Sequence, residues 1–164
     1  MTLASPLKTV IGLNGKIIRK GGCGTIHKVR ANGADLFLTA AVTRTGETGA
    51  NVDLCAAGED IDGYIIGEWD MTVNLDKDSD DPFADDTWLA MYCPVKGDEI
   101  YVTIKTNTAV TINVLVQCEA GFGIPWAYSN ATEKTDTLRS IMGKCRTTVA
   151  AVGSTETVCL VEVQ

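Results

Sequence analysis

The stretch Glu99-Ile-Tyr-Val-Thr-Ile104 alternates strictly between polar and apolar side chains. Ile100, Val102 and Ile104 point to one side, which is the pattern of a β-strand with one buried face. Two later segments, 111–118 and 157–163, have the same period of two. Their predicted buried faces are Ile112, Val114, Val116 and Cys118 in the first and Cys159, Val161 and Val163 in the second. Three strands are barely stable alone, so the pattern predicts further strands around the same core.

Composition supports an all-β fold. Val, Ile and Thr dominate the periodic segments, the chain has 16 Gly and only 4 Pro, and 164 residues suffice for one well-buried core. We predict a single compact β-barrel or β-sandwich domain over residues 8–164, with at most one short helix, which the apolar spacing places within residues 133–142.

Two Asn-Gly pairs are typical of tight hairpin turns. Asn14-Gly15 predicts a hairpin over residues 9–19. Asn32-Gly33 predicts a second hairpin, which joins strands at 25–30 and 35–42. Shorter strand patterns follow, and they cover residues 64–66, 88–93 and 144–149.

The N-terminal residues 1–7 show no periodicity and contain Pro6, which predicts an extended arm. Its apolar residues Leu3, Pro6 and Leu7 are candidate contacts with a neighbouring subunit. The arm is either a tether of this kind or a frayed terminus.

A second candidate contact region is the aromatic segment 119–126, which glycines and Pro125 predict to be a loop. Its Phe122 and Trp126 either form an interaction surface or cover one end of the barrel, because large aromatic rings are common in both settings.

The net charge of −7 is unevenly distributed. Residues 1–50 carry a net +5 and residues 51–100 a net −12. Nucleic acid is repelled by the chain as a whole, so no direct nucleic-acid partner is predicted. The basic residues 1–50 either lie on solvated hairpin faces, which we favour, or touch a negative surface, which would be DNA or an acidic partner protein.

The acidic run at 76–87 partly resembles a calcium loop. Asp76, Asp78 and Asp80 fit its first, third and fifth ligand positions, but Asp81 replaces the glycine of the sixth and Pro82 follows. We therefore predict a solvated acidic loop and no metal site.

The six cysteines and the single His27 give no further chemistry. There is no Cys-x-x-Cys pair for zinc, no Ser/His/Asp arrangement and no glycine-rich phosphate loop. We predict core thiols, no cofactor and no catalytic residue. The start lacks a signal-peptide pattern and no apolar run approaches the length of a membrane span, so we expect a soluble protein made in a cytoplasm, with no membrane partner.

The order of these signals resembles the small capsid decoration, or cement, proteins of tailed viruses. The resemblance is carried by residues 57–67, 96–102, 141–145 and 158–163, where glycine turns precede alternating strands. It implies a β-rich virion protein on the capsid surface, often a homotrimer or another homo-oligomer, that binds the major capsid protein and catalyses no reaction.

Two other functions remain open at this point. One is another virion module, such as a tail or spike part. The other is a soluble lectin-like module whose Phe122–Trp126 segment stacks on a sugar.

Overall fold

The computed structural model describes residues 18–20, 24–33, 35–69, 81–126, 139–150 and 157–164. The all-β prediction is confirmed in these ranges. The strands are β1 (Ile18–Lys20), β2 (Thr25–Ala31), β3 (Ala41–Thr45), β4 (Asn51–Leu54), β5 (Gly63–Glu68), β6 (Trp88–Cys93), β7 (Glu99–Ile104), β8 (Leu115–Glu119), β9 (Phe122–Pro125), β10 (Ile141–Cys145) and β11 (Thr157–Glu162).

Five strands form a closed barrel in the order β2-β4-β3-β5-β6, and β6 pairs back onto β2. All pairs are antiparallel except β2 with β4, where Arg30 lies opposite Asn51. The closing contact between β2 and β4 is short, so residues 25–29 of β2 pair with β6 alone.

The remaining strands form a six-stranded sheet in the order β1-β7-β11-β10-β8-β9. A single parallel bridge between Ile104 and Gly123 also brings β9 back to β7. The hairpin between β8 and β9 turns at Ala120 and Gly121, which both have positive φ, as the tightest hairpin turns require.

The barrel and the sheet share a second core. On the barrel strands, Ile65 and Met91 point into the barrel. Their neighbours Tyr64 and Tyr92 point outward and pack with the apolar face of the sheet. Because successive side chains of a strand alternate, these strands are buried on both faces at this end of the barrel.

The strand at 99–104 is where the alternation placed it, and Ile100, Val102 and Ile104 are all buried. The predicted strands at 64–66 and 88–93 also form, as β5 and β6. The face of the last strand is confirmed for Cys159 and Val161.

The predicted hairpin around Asn32-Gly33 is wrong. Both edges of β2 are occupied by β4 and β6, so residues 35–40 do not pair with it. This segment is instead a buried connection. Leu36, Phe37 and Leu38 fill the barrel interior.

The strand predicted at 111–118 is shorter than expected. β8 begins only at Leu115, after a turn at Ile112 and Asn113, where φ of Asn113 is positive. Val116 and Cys118 are buried as predicted, whereas Ile112 is 54% exposed.

The helix predicted up to residue 142 does not reach that far. Ile141 and Met142 belong to β10, and only Arg139 has helical conformation among the described residues nearby. Gly143, the residue after the predicted helix, lies inside this strand with φ of 148°. The predicted strand 144–149 correspondingly ends at Cys145.

Several predictions lie outside the described residues: the arm at 1–7, the hairpin turn at 14–15 and the calcium-like positions at 76–80. The end of the acidic run is described. There Phe83 is buried and its amide donates to the carbonyl of Leu36, so this end is attached to the barrel. No helix with the length and hydropathy of a membrane span occurs in the ranges that the structure covers.

Candidate functional site

The predicted contact residues lie in different settings. Leu3, Pro6 and Leu7 are outside the described residues. Phe122 is half-buried in β9, not in a loop, and its ring stacks on Phe37 with centroids 4.3 Å apart. This contact holds the β8–β9 hairpin against the barrel. Trp126 follows the same strand, half-buried, and its amide donates to Leu115 at 2.8 Å.

Exposed apolar side chains lie on the outer wall of the barrel. Ile26 is 51% exposed, Trp88 46% and Trp69 40%. The alternation of β2 explains why this wall carries Ile26 and Lys28, since Val29 between Lys28 and Arg30 points into the core.

Strand register brings the two tryptophans together. Trp88 begins β6 opposite Arg30, and Lys28 lies opposite the small Ala90 two residues further along. Trp69 follows β5, and its amide donates to the carbonyl of Trp88 at 2.9 Å.

The ammonium group of Lys28 lies beside both indoles. Its Nζ is 4.6 Å from the ring centroid of Trp88 and 5.8 Å from that of Trp69. Both distances are within the range of cation–π attraction, which contributes about 0.5–1 kcal/mol at an exposed site. The lysine therefore helps to hold two large exposed rings in place.

Together these groups form an open cleft of about 300 Å³, lined by Lys28, Glu68, Trp69, Thr87 and Trp88. We call it the tryptophan cleft. Its lining combines two tryptophans with a lysine, a glutamate and a threonine. The cleft therefore places aromatic surface beside residues with polar side chains.

A main-chain hydrogen bond from β2 fixes the position of Thr87 in the lining of the cleft. The carbonyl of Thr87 accepts a hydrogen bond from the amide of Ala31 at 2.9 Å. Arg30 pairs with Asp86 at 2.8 Å, but both side chains are well exposed, so the pair contributes only about 0–1 kcal/mol.

The folded protein raises the pKa of three cysteine thiols and so lowers their reactivity. Burial and the neighbouring Cys145 thiol raise the pKa of Cys159 to about 12. A hydrogen bond with Cys118, together with burial, raises the pKa of Cys55. Burial also raises the pKa of Cys93. These three thiols are protonated at neutral pH and are poor nucleophiles.

No three His, Cys, Asp or Glu side chains within the described ranges lie close enough together to hold a metal ion. The described part of the chain thus has an open cleft lined by two exposed tryptophans, and the thiols with raised pKa values are not activated as nucleophiles.

Sequence reasoning missed the tryptophan cleft. One signal was present: in 88–93 the apolar Leu89 and Met91 share a face, which leaves Trp88 on the other. Trp69 and Lys28 gave no such signal, because their positions depend on the pairing of β5 and β2 with β6.

No known family model and no curated protein sequence matches the chain. Among solved structures, the fold is similar to that of the N base of head fiber gp8.5 in bacteriophage phi29. The TM-score is 0.52 at 6% sequence identity, and the match covers 86% of this chain and 94% of that chain. At this identity the likeness shows a shared fold.

Proposed function

We propose that the chain is a structural protein of a phage virion, which binds the outside of the icosahedral head and stabilises the lattice of the major capsid protein. One observation carries the proposal: the fold is similar, over 86% of this chain, to a protein described as the base of a phage head fiber. Fold likeness alone is an analogy for function, so the proposal needs a direct test.

The architecture suits a static binding role. The barrel is closed, and its strands share a second core with the six-stranded sheet. A rigid body of this kind presents its surface without an ordering cost on binding.

Stabilisation of a head follows from mass action. A protein that binds the assembled lattice but not free subunits favours the assembled state, in proportion to the occupancy of its sites. Many equivalent sites on one shell make modest affinity at each site sufficient.

Two finer points belong to the same proposal. The chain acts as a homotrimer or another homo-oligomer, and its role is binding, not catalysis. The protonated state of Cys55, Cys93 and Cys159 supports the second point, because a thiol nucleophile needs a thiolate.

The test uses heads of the phage that encodes the chain, prepared without this protein. Purified chain is added to them, the heads are pelleted, and bound protein is measured and located by cryo-electron microscopy. We expect saturable binding at regular positions on the outer surface and a higher temperature of head disruption. Failure to co-sediment would overturn the proposal, and density on the tail when whole virions replace the heads would favour a tail or spike role.

A further inference from the structure

We infer that the tryptophan cleft binds a sugar ring of a glycan. This function goes beyond a structural role on a head and does not depend on it.

The aromatic walls supply the first requirement. The apolar face of a pyranose, made of C–H groups, packs on a flat aromatic ring, and Trp offers the largest such ring. Trp69 and Trp88 both remain substantially exposed, at 40% and 46%, although their backbones are joined in the sheet. Lys28 Nζ lies over one face of each ring, and the ring surface that stays exposed is available without any rearrangement of the strands.

The polar groups supply the second requirement. Lys28 Nζ can only donate hydrogen bonds, the carboxylate of Glu68 accepts them, and the hydroxyl of Thr87 does both. Within the described ranges, neither Lys28 nor Glu68 forms an ion pair. A sugar hydroxyl is both donor and acceptor, and a ring that carries several hydroxyls can satisfy the ammonium and the carboxylate together.

Other ligand classes fit less well. A cationic ligand would be repelled by the ammonium of Lys28, which lies beside both rings, whereas a neutral sugar would not. Nucleic acid would bring phosphates towards Glu68 on a chain with net charge −7. A proline-rich peptide offers carbonyl acceptors to Lys28, but proline has no N–H to donate to Glu68.

The size of the cleft limits what it holds. A volume of about 300 Å³ is at the lower end for small-molecule sites, and the cleft is open to solvent. It therefore takes one or two sugar rings, at the end or on a branch of a longer glycan. A single contact of this kind is weak, and it becomes effective where many copies are presented together.

The experiment displays the full-length chain in many copies on streptavidin beads. The beads are probed with a panel of bacterial and eukaryotic oligosaccharides, and any that bind are titrated against the free chain. Two of the three tryptophans of the chain line the cleft, so intrinsic fluorescence reports occupancy. We expect at least one glycan class to bind and to quench this fluorescence.

Variants then locate the binding. We expect Trp88→Ala and Glu68→Ala each to weaken it at least tenfold, while circular dichroism stays that of the parent. The matched control is Ile112→Ala, since Ile112 is 54% exposed but lies outside the cleft, and it should bind like the parent. If no glycan binds the displayed chain, or if binding survives Trp88→Ala unchanged, the inference is wrong. No heads are used, so this result is independent of the test for the proposed virion role.

Discussion

The hydroxyl of Tyr92 donates a hydrogen bond to Oδ2 of Asp98 at 2.5 Å, and both side chains are buried. The same hydroxyl accepts from the amide of Gly24 at 3.0 Å, and the same carboxylate oxygen accepts from the amide of Val95 at 3.0 Å. The pair thus joins the end of β6 in the barrel to the turn that precedes β7 in the sheet.

Removal of this hydroxyl should destabilise the whole fold. Tyr92→Phe leaves a buried carboxylate with one donor fewer, which costs about 1–3 kcal/mol in the free energy of unfolding. Urea denaturation measures the loss. Tyr101→Phe is the control, because Tyr101 is only half-buried and its hydroxyl makes no hydrogen bond among the described residues, and it should cost much less. Equal losses in the two variants would contradict the structural role of the pair.

Gly143 and Gly67 form a matched test of close packing. Both lie at irregular points of their strands with nearly the same φ, 148° and 150°. A Cβ at Gly143 would overlap the carbonyl oxygen of Glu162, whereas one at Gly67 meets nothing within 4 Å. We expect Gly67→Ala to cost about 1 kcal/mol from backbone strain alone, and Gly143→Ala about 1–3 kcal/mol more. Thermal unfolding compares them, and similar melting temperatures would show that β10 and β11 are not this close.

Ile112 and Val116 were predicted on the same buried strand face, but they differ in burial. Val116 is fully buried, and a charge there has no partner, so Val116→Asp should lower stability by more than about 4 kcal/mol or prevent folding. Ile112→Asp should change stability by less than about 1 kcal/mol. Soluble yield and urea midpoints distinguish the two outcomes. An Ile112→Asp variant that fails to fold would indicate that Ile112 is buried in a longer strand, as the alternation predicted.

Stability should fall at alkaline pH. The folded state raises the pKa of Cys159 from its usual 9.0 to about 12, and the pKa values of Cys55 and Cys93 are raised as well. The unfolded chain therefore loses these protons at a lower pH than the folded chain. The stability that the protonated thiols contribute is fully present below pH 9 and is lost as the pH rises towards 12. Urea midpoints from pH 7 to 11 should be level and then decline, with a shallower decline in Cys159→Ala. Constant stability up to pH 11 would contradict the buried, protonated state of these thiols.

The sequence predicted those parts of the fold that depend on local alternation. The strand around Val102 and the buried face of Cys159 and Val161 follow from the period of two and needed no knowledge of their partners. The Asn32-Gly33 hairpin failed because a turn signal is local, whereas the partners of β2 lie more than twenty residues away along the chain.

The candidate site was beyond sequence reasoning for the same reason. The tryptophan cleft exists because three strands bring Lys28, Trp69 and Trp88 together, and no spacing along the chain shows that neighbourhood. Phe122 shows the opposite failure. Its glycine-rich surroundings predicted a loop, but Phe122 lies in the β8–β9 hairpin. Its ring stacks on Phe37, which is distant in sequence.

The proposed virion role is tested most directly by locating the protein in the particle. Under this proposal a phage encodes the chain. Its virions are purified, their proteins are identified by mass spectrometry, and the particle is imaged by cryo-electron microscopy. The account predicts that the chain is present in many copies and that density matching its closed barrel and six-stranded sheet lies on the outer surface of the head. A purified, infectious virion that lacks the chain would contradict it.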